Sequence, residues 1–308
     1  MALSPASSAP DRSGIAAGIG LMLAGMLLFS VNDAMGKWLV ATYSVGQVLL
    51  LRSAAALVVL SPMLLRRRIA WTLPRQPGLH ALRITCSTLE VACFYWAVAY
   101  LPLADVMTYY LAGPIYVAAI AAFWLGETLD RRRMLAVGVG FAGVLIALRP
   151  SGATMTAPAV IALAGSLLFA LLMITTRKLR STSGTALVLG QIVGALVFGL
   201  VASPFAWVRP PIGDFILLSL LGVISMLAHV CVNRSLKLAP ASVVAPYQYT
   251  LIIWAVVLGY LVFGDVVHIR TVIGAAVICA AGLALLLFER DAVRSRRADA
   301  PSRVLPES

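Results

Sequence analysis

Leu101-Pro102-Leu103-Ala104-Asp105-Val106-Met107-Thr108-Tyr109 returns 138 residues later as Ala239-Pro240-Ala241-Ser242-Val243-Val244-Ala245-Pro246-Tyr247. The match lies in the punctuation. Leu101-Pro102 answers Ala239-Pro240, and Tyr109 answers Tyr247. The apolar run that starts in the first copy closes on Leu125-Gly126-Glu127. The run that starts in the second closes on Phe263-Gly264-Asp265. In the apolar runs that follow, Gly143 and Gly282 repeat one residue out of step. The chain therefore reads as two similar halves.

Each half is built for lipid. Of 308 residues, 61% are hydrophobic and 12% are charged, against roughly 25% charged in a soluble domain. A bilayer tolerates this because lipid replaces water around the outside of a helical bundle. At about 20 apolar residues per crossing, the chain predicts ten spans. They lie at about 15–40, 45–65, 80–100, 103–126, 134–149, 158–176, 184–205, 214–233, 240–263 and 270–288. The first apolar stretch starts near Ile15 and is too long for a signal-peptide core of about 7–15 residues, so it reads as a retained first span. Residues 1–14 read as a disordered tail and residues 289–308 as a basic cytoplasmic tail.

The net charge of +12 does not form one nucleic-acid-binding patch. It falls in clusters between apolar runs, such as Arg66-Arg67-Arg68 and Arg131-Arg132-Arg133. With a cytoplasmic N-terminus, 19 of the 24 Lys and Arg residues fall on the cytoplasmic side and 4 on the other, with Arg52 inside the second span. That asymmetry sets the expected orientation, with both termini cytoplasmic. A missed span would scramble the split, so it also supports ten crossings. Five spans per half is an odd number, so the second half enters the membrane inverted. The expectation is an all-α membrane protein of two inverted-topology five-helix repeats, residues 15–149 and 158–288. Many secondary transporters share that architecture.

A family resemblance rests on the repeated motifs. Ala112-Gly113-Pro114, then Leu125-Gly126-Glu127, then the helix through Gly143 resembles the repeat signature of the drug/metabolite transporter superfamily, in its ten-helix EamA-type branch. The second copy, Pro240 to Pro246, then Phe263-Gly264-Asp265, then Gly274 and Gly282, resembles it too. The resemblance runs from about Ile15 to Phe288. It implies a transporter of small organic metabolites working by alternating access, most simply an amino-acid exporter, aromatic amino acids included, in a bacterial-type inner membrane. Asn32-Asp33-Ala34-Met35-Gly36-Lys37 is similar to a branch that includes S-adenosylmethionine and vitamin transporters, so uptake of such a solute is the alternative. The resemblance further implies a central cavity walled by both halves, with Tyr109 and Tyr247 as pseudo-symmetric wall residues.

Ionisable groups inside a span cost roughly 2.5–3.5 kcal/mol on insertion scales, so each needs a reason. Asp33 and Lys37 are four apart on the first span, near its outer end. They read as an i,i+4 ion pair or, with neighbouring Asn32, as a gate at the outer mouth. Glu90 sits midway through the third span, where Ser87, Glu90 and Phe94 share a face. It reads as a ligand for a substrate ammonium, as the carrier of a coupling proton, or as the salt-bridge partner of Arg52. Phe94, Tyr95, Tyr109, Tyr110, His229, Asn233, Tyr247 and Gln248 are candidate substrate contacts, since convergent rings and amides suit a zwitterionic or flat solute. An interfacial aromatic belt or interhelical hydrogen bonds would use the same residue types. Pro114 and Pro246 each remove one helix hydrogen bond and are candidate hinges. Glu127 and Asp265 read as capping or inter-loop pairs.

No cofactor is expected. Gly138-Val139-Gly140-Phe141-Ala142-Gly143 fits a dinucleotide fingerprint in letters only; it follows no strand and reads as close helix packing. Cys86, Cys93, Cys231 and Cys279 lack metal-ligand spacing. The acids are solitary, which argues against a membrane-embedded transferase. The expected partners are a small-molecule substrate, the lipid bilayer and, for coupling, protons, in a monomer or a homodimer.

Overall fold

Apolar runs with few helix breakers dictate helices, because in lipid every backbone N–H and C=O must find its partner within the chain. The computed structural model describes residues 12–66, 76–124, 131–148, 156–179, 182–239 and 241–298, and among them the regular structure is entirely helical. The first half contains α1 (Arg12–Val40), α2 (Val45–Arg66), α3 (Pro77–Val98), α4 (Leu103–Leu111), α5 (Gly113–Trp124) and α6 (Arg131–Leu148). The second contains α7 (Ala157–Lys178), α8 (Gly184–Ala202), α9 (Ile212–Leu238), α10 (Ala241–Val244), α11 (Thr250–Phe263) and α12 (Ile269–Ala298). Residues 1–11 and 299–308, most of the 66–78 loop, Glu127 and Pro240 lie outside the described residues, as do the side chains of Pro114, Asn233 and Pro246.

Among the described residues, five helical segments are long and apolar enough to cross a membrane: Gly14–Val40, Val45–Pro62, Ala157–Thr176, Gly184–Ala206 and Ile212–Val232. Met134–Ala147, Tyr247–Phe263 and Ile269–Leu285 are shorter apolar helices. The fourth rod of each half is broken. In the first, α4 stops at Leu111, the Ala112 N–H turns back to the Tyr109 carbonyl at 3.2 Å, and α5 restarts just before Pro114. In the second, α10 gives way to a 3₁₀ stretch, Ala245–Tyr249, that contains Pro246, before α11 begins. Proline has no N–H to continue an α ladder, so the chain tightens at both places. At the C-terminus α12 continues to Ala298, beyond the predicted limit of 288. The added stretch carries four Arg and two Ala and has no Gly or Pro, so nothing in it ends a helix.

The packing obeys a two-fold relation. Beside the packing of α2 on α9 and of α1 on α11, the helix pairs that reveal it are α1 with α9, α3 with α7, α2 with α8, α6 with α12, and α4 with α11. In rod order these are first with eighth, third with sixth, second with seventh, fifth with tenth, and fourth with ninth. Exchanging the halves turns the first pair into the second and maps each of the others onto itself. The self-mapped pairs run antiparallel. Gly46, near the start of α2, meets Ala202 at the end of α8, while Gly199 of α8 meets Leu50 of α2. On α6 and α12, a Cβ at Gly143 would lie 3.1 Å from the Gly274 carbonyl oxygen, and one at Gly274 would lie 2.8 Å from that of Gly143. Only bare backbones approach so closely. Gly140 of the decoy fingerprint serves the same interface, against Ile115 and Ala281. A two-fold axis along the helices would leave self-mapped partners parallel, so antiparallel partners place it across them.

Candidate functional site

A cavity of about 800 Å³ lies between α2, α3, α8 and α9. These are the second and third rods of the first half and their counterparts in the second. Arg52, Ser53, Ser87, Gln191, Ser225 and His229 give it its polar lining. Ser87 and Ser225 stand at the 138-residue repeat offset, so each half contributes the same hydroxyl from the same helix. The cavity also reaches Val59, Gly184 and Arg234, all exposed, so it opens where α2 and α9 end and α8 begins.

Arg52 holds the middle of this site. One terminal NH group donates to the Tyr95 hydroxyl and the other to the Ser225 hydroxyl at 3.0 Å, with the guanidinium carbon 5.3 Å from the Tyr95 ring centroid. Tyr95 is almost fully buried, at 1% exposure. Its ring lies against Gly36 of α1, where a side chain would collide with it. Asn32 donates to the Tyr95 hydroxyl at 3.5 Å and to the Asp33 carboxylate at 3.2 Å. The ring nitrogen Nδ1 of His229 is paired with the Ser225 carbonyl at 2.7 Å, and its ring meets Phe29 edge-on. One polar network thus ties α1, α2, α3 and α9 together, and such networks hold their members in one geometry when satisfied.

Glu90 is half-buried on α3 and within electrostatic range of both Asp33 and Arg52. The expected salt bridge to Arg52 does not form, because the Arg52 terminal NH groups are directed to Tyr95 and Ser225. Phe94, Tyr95 and Tyr110 are brought together beside it. Phe94 meets Tyr95 and Tyr110 edge-on at 5.6 and 5.4 Å, and the Tyr110 hydroxyl donates to the Glu90 carbonyl at 3.2 Å.

The opposite end of the bundle is tied shut. Lys37 pairs with Asp265 and lies 4.5 Å above the Phe263 ring, so the i,i+4 pair with Asp33 does not form. The partner is delivered by the end of α11: Gly264 turns at φ 66°, and the Asp265 N–H closes back on the Gly259 carbonyl at 3.0 Å. The Gly264 N–H also returns to the Tyr260 carbonyl at 3.0 Å, so the left-handed residue folds the chain back over the last helical turn. Asp265 also accepts the Leu103 N–H at 3.3 Å. Nearby, the Tyr43 hydroxyl donates to Asp214, which pushes its pKa up to about 12. The Gln47 amide makes a two-point bond to the Val208 backbone, at 2.6 and 3.0 Å.

Tyr109 and Tyr247 do not meet in the cavity. Tyr109 is buried at 6% exposure in the core that includes Leu103 and Leu218, while Tyr247 packs beside Met22 and Met26. Both follow the repeat, but α4 and the 3₁₀ stretch lie outside the four helices around the cavity. Gln248 is exposed. Ser53, Gln191, Ser225 and Arg234 were not singled out by sequence. Ser225 had a usable signal, since adding the repeat offset to Ser87 leads to it.

An inverted helical bundle with a cavity open at one end is the architecture of many secondary membrane transporters. The match to a family model is direct. Residues 16–149 and 156–288 each fit the EamA-like transporter family, and the chain belongs to it. It is similar to the S-adenosylmethionine uptake transporter of Rickettsia bellii, with 24% identity over 91% of this chain and 96% of that one. Similarity to the pseudopaline exporter CntI of Pseudomonas aeruginosa is 28% identity over 87% and 95%. For the riboflavin transporter of Vibrio cholerae it is 26% over 83% and 88%. A solved crystal structure superposes with a TM-score of 0.62 at 14% identity over 92% of this chain and 99% of that chain, a likeness of fold.

Proposed function

We propose that the chain is a secondary transporter that exports amino acids or similar zwitterionic metabolites by alternating access across a bacterial-type inner membrane. In this reading the ten rods each span the bilayer and both termini are cytoplasmic. The repeats at 15–149 and 158–288 are related by an axis in the membrane plane, with 1–14 and 289–308 as flanking tails. The observation that carries it is the cavity itself. It opens beside Arg234, on the side that the Lys and Arg distribution assigns to the cytoplasm. The far end is closed by the Lys37–Asp265 and Tyr43–Asp214 contacts. That is an inward-open state with its outer gate shut. Exchanging the conformations of the two halves would give the outward-open state at similar energy. Pro114 and Pro246, at the two helix breaks, are the proposed hinges. Glu90 is the proposed coupling or ammonium-binding carboxylate.

A second reading, uptake of S-adenosylmethionine or another metabolite, is favoured by the Rickettsia bellii relative, whose name states that activity. S-Adenosylmethionine also carries an amino-acid head, so the two readings share the chemistry of recognition and differ in direction. Flux in oriented proteoliposomes tests both. Saturable movement of an amino acid supports export of that class. Saturable movement of S-adenosylmethionine or riboflavin, with none for any amino acid, ends the amino-acid version.

A further inference from the structure

We propose that Arg52, Ser225 and Ser87 form a carboxylate-binding subsite at the deep end of the cavity. The proposal rests on the transporter reading and names the part of the solute that this place receives.

Three observations converge. The first is an unused hydroxyl. Ser87 is fully buried at the cavity wall, and its Oγ has no hydrogen-bond partner among the described residues. A buried donor left alone is a cost that a native protein keeps for a reason, and here the reason is a missing acceptor. The second is the guanidinium. Arginine offers five N–H donors in a rigid planar fork. Among the described residues, two of the Arg52 donors go to Tyr95 and Ser225, and these two bonds fix the guanidinium. Arg52 itself lines the cavity. The third is the balance of charge. Among the described residues, Arg52 and Arg234 are the charged residues that line the cavity, and no carboxylate is among the lining. Asp33 and Glu90 stand within electrostatic range of Arg52 without pairing to it. They temper its charge but leave its fork to an incoming anion.

Ser87 and Ser225 lie on equivalent helices of the two halves. An anion held between them touches both moving parts of the molecule. Arg234, exposed at the mouth, gives the same anion an attractive path inward. A planar carboxylate suits the fork because it accepts two parallel N–H bonds.

The test measures ligand-induced thermal stabilisation of the full-length protein in nanodiscs, using paired probes that differ by one carboxylate. The pairs are L-phenylalanine with L-phenylalaninamide, and S-adenosylmethionine with its decarboxylated form; riboflavin is the carboxylate-free control. In at least one pair the carboxylate member binds about tenfold or more tightly than its partner. Arg52→Gln removes that preference, and Ser87→Ala reduces it by about threefold. Arg52→Lys, which keeps the charge but not the fork, retains folding and loses most of the preference. Equal binding within both pairs overturns the subsite, as do an undiminished preference in Arg52→Gln, a response to riboflavin alone, and no response to any probe. A phenylalanine pair that is silent beside a discriminating S-adenosylmethionine pair sinks the amino-acid reading and keeps the subsite. Flux without discrimination does the reverse.

Discussion

Lys37 and Asp265 lie 228 positions apart in sequence and form an ion pair at the end of the bundle opposite the cavity mouth. Lys37 ends a helix of the first half and Asp265 caps one of the second, so the contact spans the two repeats. Its side chains are 13% and 18% exposed, which shields the pair from water and salt. Losing about 1.4 kcal/mol of such closure shifts the open-to-closed ratio by about tenfold. Lys37→Met or Asp265→Asn is therefore expected to speed labelling of a Ser53→Cys probe from the outer side by up to about tenfold, in a background without native cysteines. The charge swap Lys37→Asp with Asp265→Lys restores slow labelling. Unchanged labelling in both single variants removes the gate assignment.

The Tyr43–Asp214 contact predicts a pH window. A phenol whose pKa is raised to about 12 is held in its protonated form by its acceptor. The contact contributes fully below the ordinary tyrosine value near 10, and it is lost as pH rises from there toward about 12. Outer-end closure by this pair is thus constant across physiological pH. In Asp214→Asn, ultraviolet titration shows one tyrosine ionising at lower pH than in the unaltered protein. Identical titration curves contradict the hydrogen bond.

Gly36 predicts a sign. In an exposed helix, Gly→Ala stabilises by up to about 1 kcal/mol. Here a Cβ would strike the ring of Tyr95, which is buried and held by Arg52 and Asn32. Overpacking of this kind costs about 1–3 kcal/mol, so the steric effect wins. Gly36→Ala lowers the melting temperature, and Gly20→Ala, with nothing near its Cβ position, leaves it unchanged or raises it. A stabilising Gly36→Ala shows that the ring yields.

Glu90 predicts a separation of activities. If it carries the coupling proton, Glu90→Gln retains exchange of labelled for unlabelled substrate and loses accumulation driven by a pH gradient. The check is to measure both in one proteoliposome preparation. Full gradient-driven accumulation in the variant assigns coupling elsewhere.

The architecture was legible because it rests on periodic features. Apolar length, the Pro–Tyr repeat and the placement of Arg clusters all survive without knowledge of contacts. The site was legible in part. Arg52, Glu90, Tyr95 and Asn32 stood out because polar groups in apolar runs demand partners, but which partners they take is a property of the packed bundle. Lys37 has an acid four residues away and another 228 residues away, and only the turn at Gly264 brings the second within reach. Tyr109 and Tyr247 match in the repeat, but the resemblance that set them on the cavity wall carries no information on local packing, and each packs in a different core cluster. Ser225 and Gln191 carry no charge and no ring, so nothing in their immediate sequence marks them.

Every principal helix pair joins one half of the chain to the other. The order of synthesis is therefore not the order of assembly. When α6 enters the membrane, Ile115 of α5 can meet Gly140, but Gly143 waits for α12, the last of the described helices, to cover it. Helix α1 waits almost as long for α9. A ribosome that stalls midway leaves a set of inserted helices whose most extensive contact faces await neighbours not yet translated. Such a half-chain presents small-residue grooves to the lipid where the finished molecule has close helix contacts.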